Sequence, residues 1–448
     1  MQRPIPIYGK GAAPGRPLAS DAAVAGGIAP GDLIRSRMPI LPLVGLLTLS
    51  AVFGGVSRLL NTEATWPLLL VYAAWGIAAA ILVAKGFRLP ATEQDRWSPA
   101  TVGLLLFLGS VWLSTILLGL FGDRYDYGDV VRQTAMVTYT ALPFFAAVYA
   151  ARRMDFERAV LFTCHVLLAL CLSSVLLDFS GLTEFESFGS RYFGFLGDGV
   201  AWLVTLPMIV YFTTSRFILS GAGALVLLLT LSRGATLVVA GAILLLLAFG
   251  GGRSRLHYGP PLIATIGVLA YNHEQFLEFI NRFSRMEIEQ SGRVVTSLNG
   301  LSIFRDSPVI GYGYNSLGYY FPVLDVTSGE FAVASSPAIQ MLSDGGMIAF
   351  TGFIIFVITM SYLGVRSLTY RSDASLHQVV VGLTAWLLAT IWLNHSASWF
   401  LVTSPLAPLV FGVSGLVAGY AARQALSRHA TRSPLTSTGS VRLRPTTR

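Results

Sequence analysis

A small set of arginines stands beside apolar stretches, away from other basic residues, and their chemistry is the most informative feature of this sequence. They are Arg191, Arg233, Arg293 and Arg305. A guanidinium group stays charged and binds phosphate oxygens as a planar fork. A diphosphate carried on a membrane lipid would need such a clamp at the depth of the headgroups. The four arginines are therefore candidate ligands for a diphosphate.

Arg233 has the most unusual surroundings of the four. It lies in Leu229–Gly234, directly between two apolar runs with no connecting loop around it. A cation in this position is costly unless it pairs or faces water, although a long side chain can also reach up to the headgroups. The first alternative predicts a cation at the floor of an outward-facing cavity.

A polar stretch after Arg305 combines glycines with aromatic rings. Gly311 and Gly313 would let the backbone approach a ligand closely, and backbone amides can hold oxyanions. Tyrosine rings offer stacking faces to sugars. We therefore expect Tyr312, Tyr314 and Asn315 to contact a glycan. A lone Gly-x-Gly is not a dinucleotide fingerprint, because no strand and helix flank it.

Glu330 is the best candidate for a general base. It follows Ser328 and Gly329 in the same polar stretch, where its carboxylate could accept a proton from an attacking sugar hydroxyl. It could equally be a solvated loop acid. Asp325, Asp344 and His273 are weaker candidates. The two cysteines build no metal site, and we expect neither a metal nor a cofactor.

Apolar segments must position these residues. The chain is 54% hydrophobic and 12% charged, whereas soluble domains carry about 25% charged residues. A helix needs about 20 apolar residues to cross a bilayer. The sequence therefore predicts an all-α polytopic membrane protein of about twelve transmembrane helices, at 39–59, 66–84, 99–121, 131–151, 157–177, 198–214, 217–232, 234–250, 259–272, 346–365, 376–394 and 399–420.

The charges between these segments predict an orientation. Lysine and arginine dominate the even-numbered connections, and the odd-numbered ones are acidic or mixed. This positive-inside bias places both termini in the cytoplasm and the longest connection on the outer side. The net charge of +8 therefore indicates topology and not nucleic acid. The expected parts are a disordered cytoplasmic N-tail (1–37), a bundle (38–421) containing the outer loop 273–345, and a basic cytoplasmic C-tail (422–448).

Several of these segments resemble the O-antigen ligase/polymerase family of bacterial glycan assembly. The resemblance covers roughly residues 190 to 365 and rests on the order and spacing of short motifs. The motifs are Arg191–Asp198, Leu229–Ala235, Gly292-Arg293, Ile303–Asn315 and Asp344–Ile348.

The resemblance implies a glycosyltransferase of the bacterial inner membrane, with the outer loop 273–345 in the periplasm. Family members move glycan from undecaprenyl diphosphate onto a growing chain or onto lipid A core, without a nucleotide sugar. Arg191, Arg233 and Arg293 match the arginines that hold the diphosphate. The implied partners are a lipid-linked glycan, membrane lipid, a chain-length regulator and a flippase.

One departure from the family separates two activities. Ser335 and Ser336 occupy the places of a His-Asn pair found in many members, the ligases especially. Serine cannot act as a base at neutral pH, which favours a polymerase of lipid-linked repeat units over a ligase. A transporter or flippase is the remaining alternative, and the uncharged spans disfavour it.

Overall fold

The structure is a computed structural model. The chain divides into two units, Met1–Met38 and Pro39–Arg448, and the described residues all belong to the second. They are 42–48, 73–74, 76–77, 80–81, 98–121, 127–153, 156–181, 192, 194–197, 199–230, 232–249, 297–314, 336–370, 375–393 and 406–432. Within these ranges the regular structure is helical, with no strand.

In the described part of the chain, nine α-helices have defined bounds, and a short 3-10 helix covers Gly194–Leu196. The α-helices are α1 (Pro99–Phe121), α2 (Tyr127–Arg153), α3 (Glu157–Phe179), α4 (Gly199–Thr213), α5 (Phe217–Thr230), α6 (Arg233–Phe249), α7 (Pro337–Thr369), α8 (Ser375–Leu393) and α9 (Leu406–Arg432). Residues 42–48 and 297–306 are also helical.

These helices confirm the predicted fold class. Six of them (α1, α2, α3, α7, α8 and α9) are long and apolar enough to cross a membrane, and α4, α5 and α6 are shorter apolar helices. The predicted spans 39–59 and 66–84 are described only in part, and 259–272 lies outside the described residues. The number of twelve helices and the periplasmic side of the long loop stay predictions.

Helix α7 differs most from its predicted span. The sequence places its start at 346, but the helix begins at Pro337. It is broken at Gly346, whose φ of 63° and ψ of −160° are not helical. The residues between Pro337 and Gly345 therefore belong to the bundle and not to a loop.

Contacts between pairs of helices show whether the two helices run parallel or antiparallel. Antiparallel α1 and α7 bring Gly103 against Gly352 and Ser114 against Asp344. Antiparallel α4 and α8 are joined by the Trp386 indole N–H, which donates to the Thr205 hydroxyl at 2.7 Å. The end of the bundle at which α1 finishes and α7 begins is called the loop end below.

Helices α2 and α9 run parallel and touch backbone to backbone. A Cβ atom added to Gly415 would lie 2.3 Å from the carbonyl oxygen of Phe144, and one added to Gly419 would lie 2.5 Å from that of Val148. Small residues permit this approach between membrane helices. Helix α9 is accordingly the most deeply buried of the candidate spans: 89% of the residues in its most apolar stretch are buried inside the protein.

Candidate functional site

A polar segment closes the loop end over the break in α7. This segment, residues 307–314, is called the glycine loop below. The amides of Tyr312 and Gly313 donate to the carbonyls of Ser343 and Asp344, at 3.0 and 2.8 Å. In return, the amide of Met347 donates to Pro308 at 2.9 Å, and that of Ile348 donates to Val309 at 3.4 Å. The loop thus supplies the backbone partners that the broken helix has lost.

Glycines on both sides make this contact possible. Gly311 (φ 68°) and Gly346 (φ 63°) adopt the left-handed conformation that other residues avoid. A Cβ atom on Gly311 would lie 2.6 Å from the carbonyl oxygen of Asp344, and one on Gly346 would lie 2.4 Å from that of Val309. Either side chain would separate the loop from the helix.

Polar side chains fill the space beneath the loop. Gln340, Ser343 and Asp344 of α7 are all buried. The amide of Gln340 donates to the carboxylate of Asp344, and the Ser343 hydroxyl lies 3.3 Å from the other carboxylate oxygen. From α1, the Ser114 hydroxyl donates to the carbonyl of Asp344 at 3.0 Å. The break is therefore held by hydrogen bonds on the helix side as well.

The two predicted tyrosines have different surroundings. Tyr314 is 1% exposed and belongs to the core, whereas Tyr312 is half-buried. A Cβ atom on Gly313, between them, would lie 3.2 Å from Val130 in α2 and 3.6 Å from Thr115 in α1. The loop therefore packs on the ends of α1 and α2. Of the two rings, that of Tyr312 has surface available to a ligand.

Arg305 precedes the glycine loop, in the last turn of the helix 297–306, and its side chain is exposed. Arg132, near the start of α2, is exposed as well. The start of α2 contacts the loop through Val130. The orientation predicted from the charges puts Arg132 on the outer side, but no motif in the sequence distinguishes it from a headgroup-facing residue.

A second contact at the loop end involves the residues that follow Arg191. They bond to the helix that precedes Arg233. The amide of Tyr192, the residue after Arg191, donates to the carbonyl of Leu229 at the end of α5, at 3.3 Å. The amide of Gly194 donates to the Asp178 carboxylate at 3.0 Å. These bonds fix the segment on α3 and α5.

Arg233 is the first residue of α6. Two residues separate it from the end of α5. The next residue, Gly234, faces the ring of Trp202, which a Cβ atom would approach to 2.6 Å. The predicted tight junction between two apolar helices is therefore present, and α6 begins at the same end as α7. Of the other predicted site residues, Arg191, Arg293, Asn315 and Glu330 lie outside the described residues.

The residues that form the loop end also match a known protein family. No curated protein matches the sequence. Residues 217–354, however, match the family Wzy_C, O-antigen ligase. The match includes the start of α6, the glycine loop and the break in α7, and it confirms the resemblance inferred from the motifs. Residues 217–354 are therefore similar to the O-antigen ligase family, and they belong to a chain whose described residues include six helices long and apolar enough to cross a membrane.

Proposed function

We propose that the protein is a polymerase that joins lipid-linked oligosaccharide repeat units at the periplasmic face of the inner membrane. One observation carries the proposal. The family match includes Arg233, Arg305 and the glycine loop, and the helices that bear them begin or end at the loop end of the bundle. Cations and a glycan surface at one end are what transfer from a lipid diphosphate requires.

The reaction needs a neutralised leaving group. A hydroxyl of the acceptor repeat unit attacks the anomeric carbon of the donor chain, and the bond from that carbon to the diphosphate oxygen breaks. Arg191, Arg233, Arg293 and Arg305 hold the departing undecaprenyl diphosphate and stabilise its charge. The proton of the attacking hydroxyl passes to Glu330.

The glycine loop binds the acceptor. Tyr312 has a partly exposed ring on which a sugar can stack, and Asn315 follows as a hydrogen-bonding partner. Tyr314 is buried, so its contribution is to anchor the loop. A membrane surface next to this loop keeps both lipid-linked substrates within reach.

A polymerase fits the loop end better than a ligase does. Ser336 is the N-cap residue of α7 and makes no side-chain capping bond. It stands where many ligases have the second residue of a His-Asn pair, and a serine hydroxyl supplies no base. A ligase that transfers glycan to lipid A core remains the second candidate, because the matched family is described as O-antigen ligase.

A transporter would use its helix break differently. Transporter sites lie near the bilayer midplane, at broken helices. In α7 the break at Gly346 comes near the start of the helix. The remainder, Met347–Thr369, is itself long enough to span the roughly 20 residues of the hydrocarbon region. This length supports a position of the break near the membrane surface and not at the midplane.

Reconstitution separates the three activities. The full chain in liposomes is supplied with undecaprenyl-diphosphate-linked repeat units, alone or with lipid A core. A polymerase makes a ladder of longer chains on the carrier lipid without lipid A core. Transfer only to lipid A core, with chain length unchanged, identifies a ligase. Movement of a labelled repeat unit across the bilayer without a new glycosidic bond identifies a flippase and overturns the proposal.

A further inference from the structure

A buried carboxylate lies at the break in α7. Asp344 has no exposed surface, and an acid inside a membrane protein is costly unless its oxygens have partners. One oxygen accepts the side-chain amide of Gln340, and the other lies 3.3 Å from the Ser343 hydroxyl. A side chain this enclosed does not touch a substrate.

The main chain of the same residue holds two other elements. Its carbonyl oxygen accepts the amide of Gly313 at 2.8 Å and the hydroxyl of Ser114 at 3.0 Å. Asp344 is therefore bonded to the first turns of α7 through its side chain and to the glycine loop and α1 through its backbone. It connects three parts of the loop end.

The two residues that follow explain why a side chain is needed there. Gly345 and Gly346 offer none, and the left-handed Gly346 interrupts the helical hydrogen bonds. Glycine also allows more backbone rotation than any other residue. The bonds from Gln340 and Ser343 restrict that rotation on the preceding side. They fix the direction of the Asp344 carbonyl. Because the glycine loop is bonded to this carbonyl, they also fix the position of the loop relative to α7.

We infer that Asp344 is a positioning residue, whose carboxylate holds the break in α7 so that the glycine loop presents Tyr312 to the acceptor glycan. The inference rests on the proposed function. Removing the carboxylate would leave the loop in place on average, but less firmly held. The acceptor would then bind more weakly.

A spin label on the loop tests the physical part directly. The label is attached at Val309→Cys, since the Val309 side chain is 59% exposed, in the full chain with Cys164→Ala and Cys171→Ala, reconstituted in liposomes. We expect Asp344→Asn to increase the mobile fraction of the label about fivefold, because the charge-assisted bond from Gln340 becomes a neutral one that is weaker by about 1 kcal/mol. Asp306→Asn, an exposed acid just before the loop, is the matched control and should leave the label unchanged.

Rescue and kinetics test the positioning part. The double variant Asp344→Asn, Gln340→Glu restores an amide–carboxylate pair with the partners exchanged, and it should return the label to its original mobility. In the polymerisation assay, Asp344→Asn should raise KM for the acceptor about fivefold with a smaller change in kcat. If Asp344→Asn does not fold, Ser114→Ala removes one donor to the same carbonyl and should give an intermediate mobility.

Two results would overturn the inference. One is a label in Asp344→Asn, or in Ser114→Ala where that variant is used, that is as immobile as in the parent protein. The other is a mobile label combined with unchanged KM and kcat, because the loop would then have no part in the reaction. Failure of the proposed function is a separate result: the parent protein would make no polymer, while the label would still report whether Asp344 holds the loop.

Discussion

The amide of Gly313 donates to the carbonyl oxygen of Asp344 at 2.8 Å, and this bond joins the glycine loop to the break in α7. A helix that is interrupted inside a packed bundle needs other partners for its backbone groups. The loop offers its own amides and carbonyls instead, from Pro308 to Gly313. The break and the loop therefore depend on each other, and a change in either should affect both.

Replacing Gly346 with alanine should destabilise the protein. A left-handed alanine costs about 1–3 kcal/mol, and its Cβ would also lie 2.4 Å from the carbonyl oxygen of Val309. We expect a lower Tm in detergent. Gly109→Ala in α1 is the matched control, because a Cβ there has no atom within 4 Å; a similar fall in Tm for both variants would contradict the prediction.

Replacing Arg233 with alanine should abolish polymer while the protein stays abundant in the membrane. Loss of one group that stabilises a transition-state charge costs about 10²–10³ in kcat. Arg233→Lys should also be impaired, since a point charge does not replace a planar fork. Polymer length on gels and protein abundance by blotting are the two measurements.

The control for this substitution is Arg158→Ala. Arg158 is exposed in the first turn of α3, at the opposite end of the bundle, and its loss should leave polymer unchanged. Normal chain length in Arg233→Ala would remove Arg233 from the site.

Replacing Arg305 with alanine should weaken substrate binding more than it slows chemistry. Its side chain is exposed, so its attraction for a diphosphate is screened by salt. We expect KM for the lipid-linked substrate to rise about two- to fivefold, the effect of about 0.5–1 kcal/mol for an exposed ion pair. The difference from the parent protein should shrink as salt is added; an equal difference at all salt concentrations would argue against a charge effect.

The Trp386–Thr205 hydrogen bond should contribute only modestly to stability. Both residues are buried, and the bond joins α8 to α4. Hydrogen bonds between membrane helices average about 0.6 kcal/mol in double-mutant cycles. A cycle of Trp386→Phe and Thr205→Val, followed by unfolding in mixed micelles, should give a coupling free energy near that value. A coupling above about 2 kcal/mol would show that the two side chains share more than this bond.

The helices could be predicted from the sequence where hydropathy alone decides their ends. The predicted span 99–121 coincides with α1. The prediction for α7 was wrong at its start because Gln340, Ser343 and Asp344 lower the local hydropathy. Their partners, Ser114 and the glycine loop, are distant in the sequence. A pattern read along one segment cannot include them.

The candidate site could be predicted in part for the same reason. The motifs found the glycine loop and the α5–α6 junction, because glycines and a charge between apolar runs are visible locally. The burial of a side chain is not visible in this way. Tyr312 and Tyr314 look alike in the sequence, but the second is buried in the fold and the first is only half-buried.

The parallel contact of α2 with α9 has a consequence for biogenesis. The ribosome makes Phe144 and Val148 long before Gly415 and Gly419, the glycines on which they finally rest. Until the later helix enters the bilayer, the matching face of α2 can meet only lipid or a temporary neighbour. A nascent chain halted before α9 should therefore be inserted in the membrane with this face of α2 still uncovered. A membrane chaperone or protease would recognise the chain by that uncovered face.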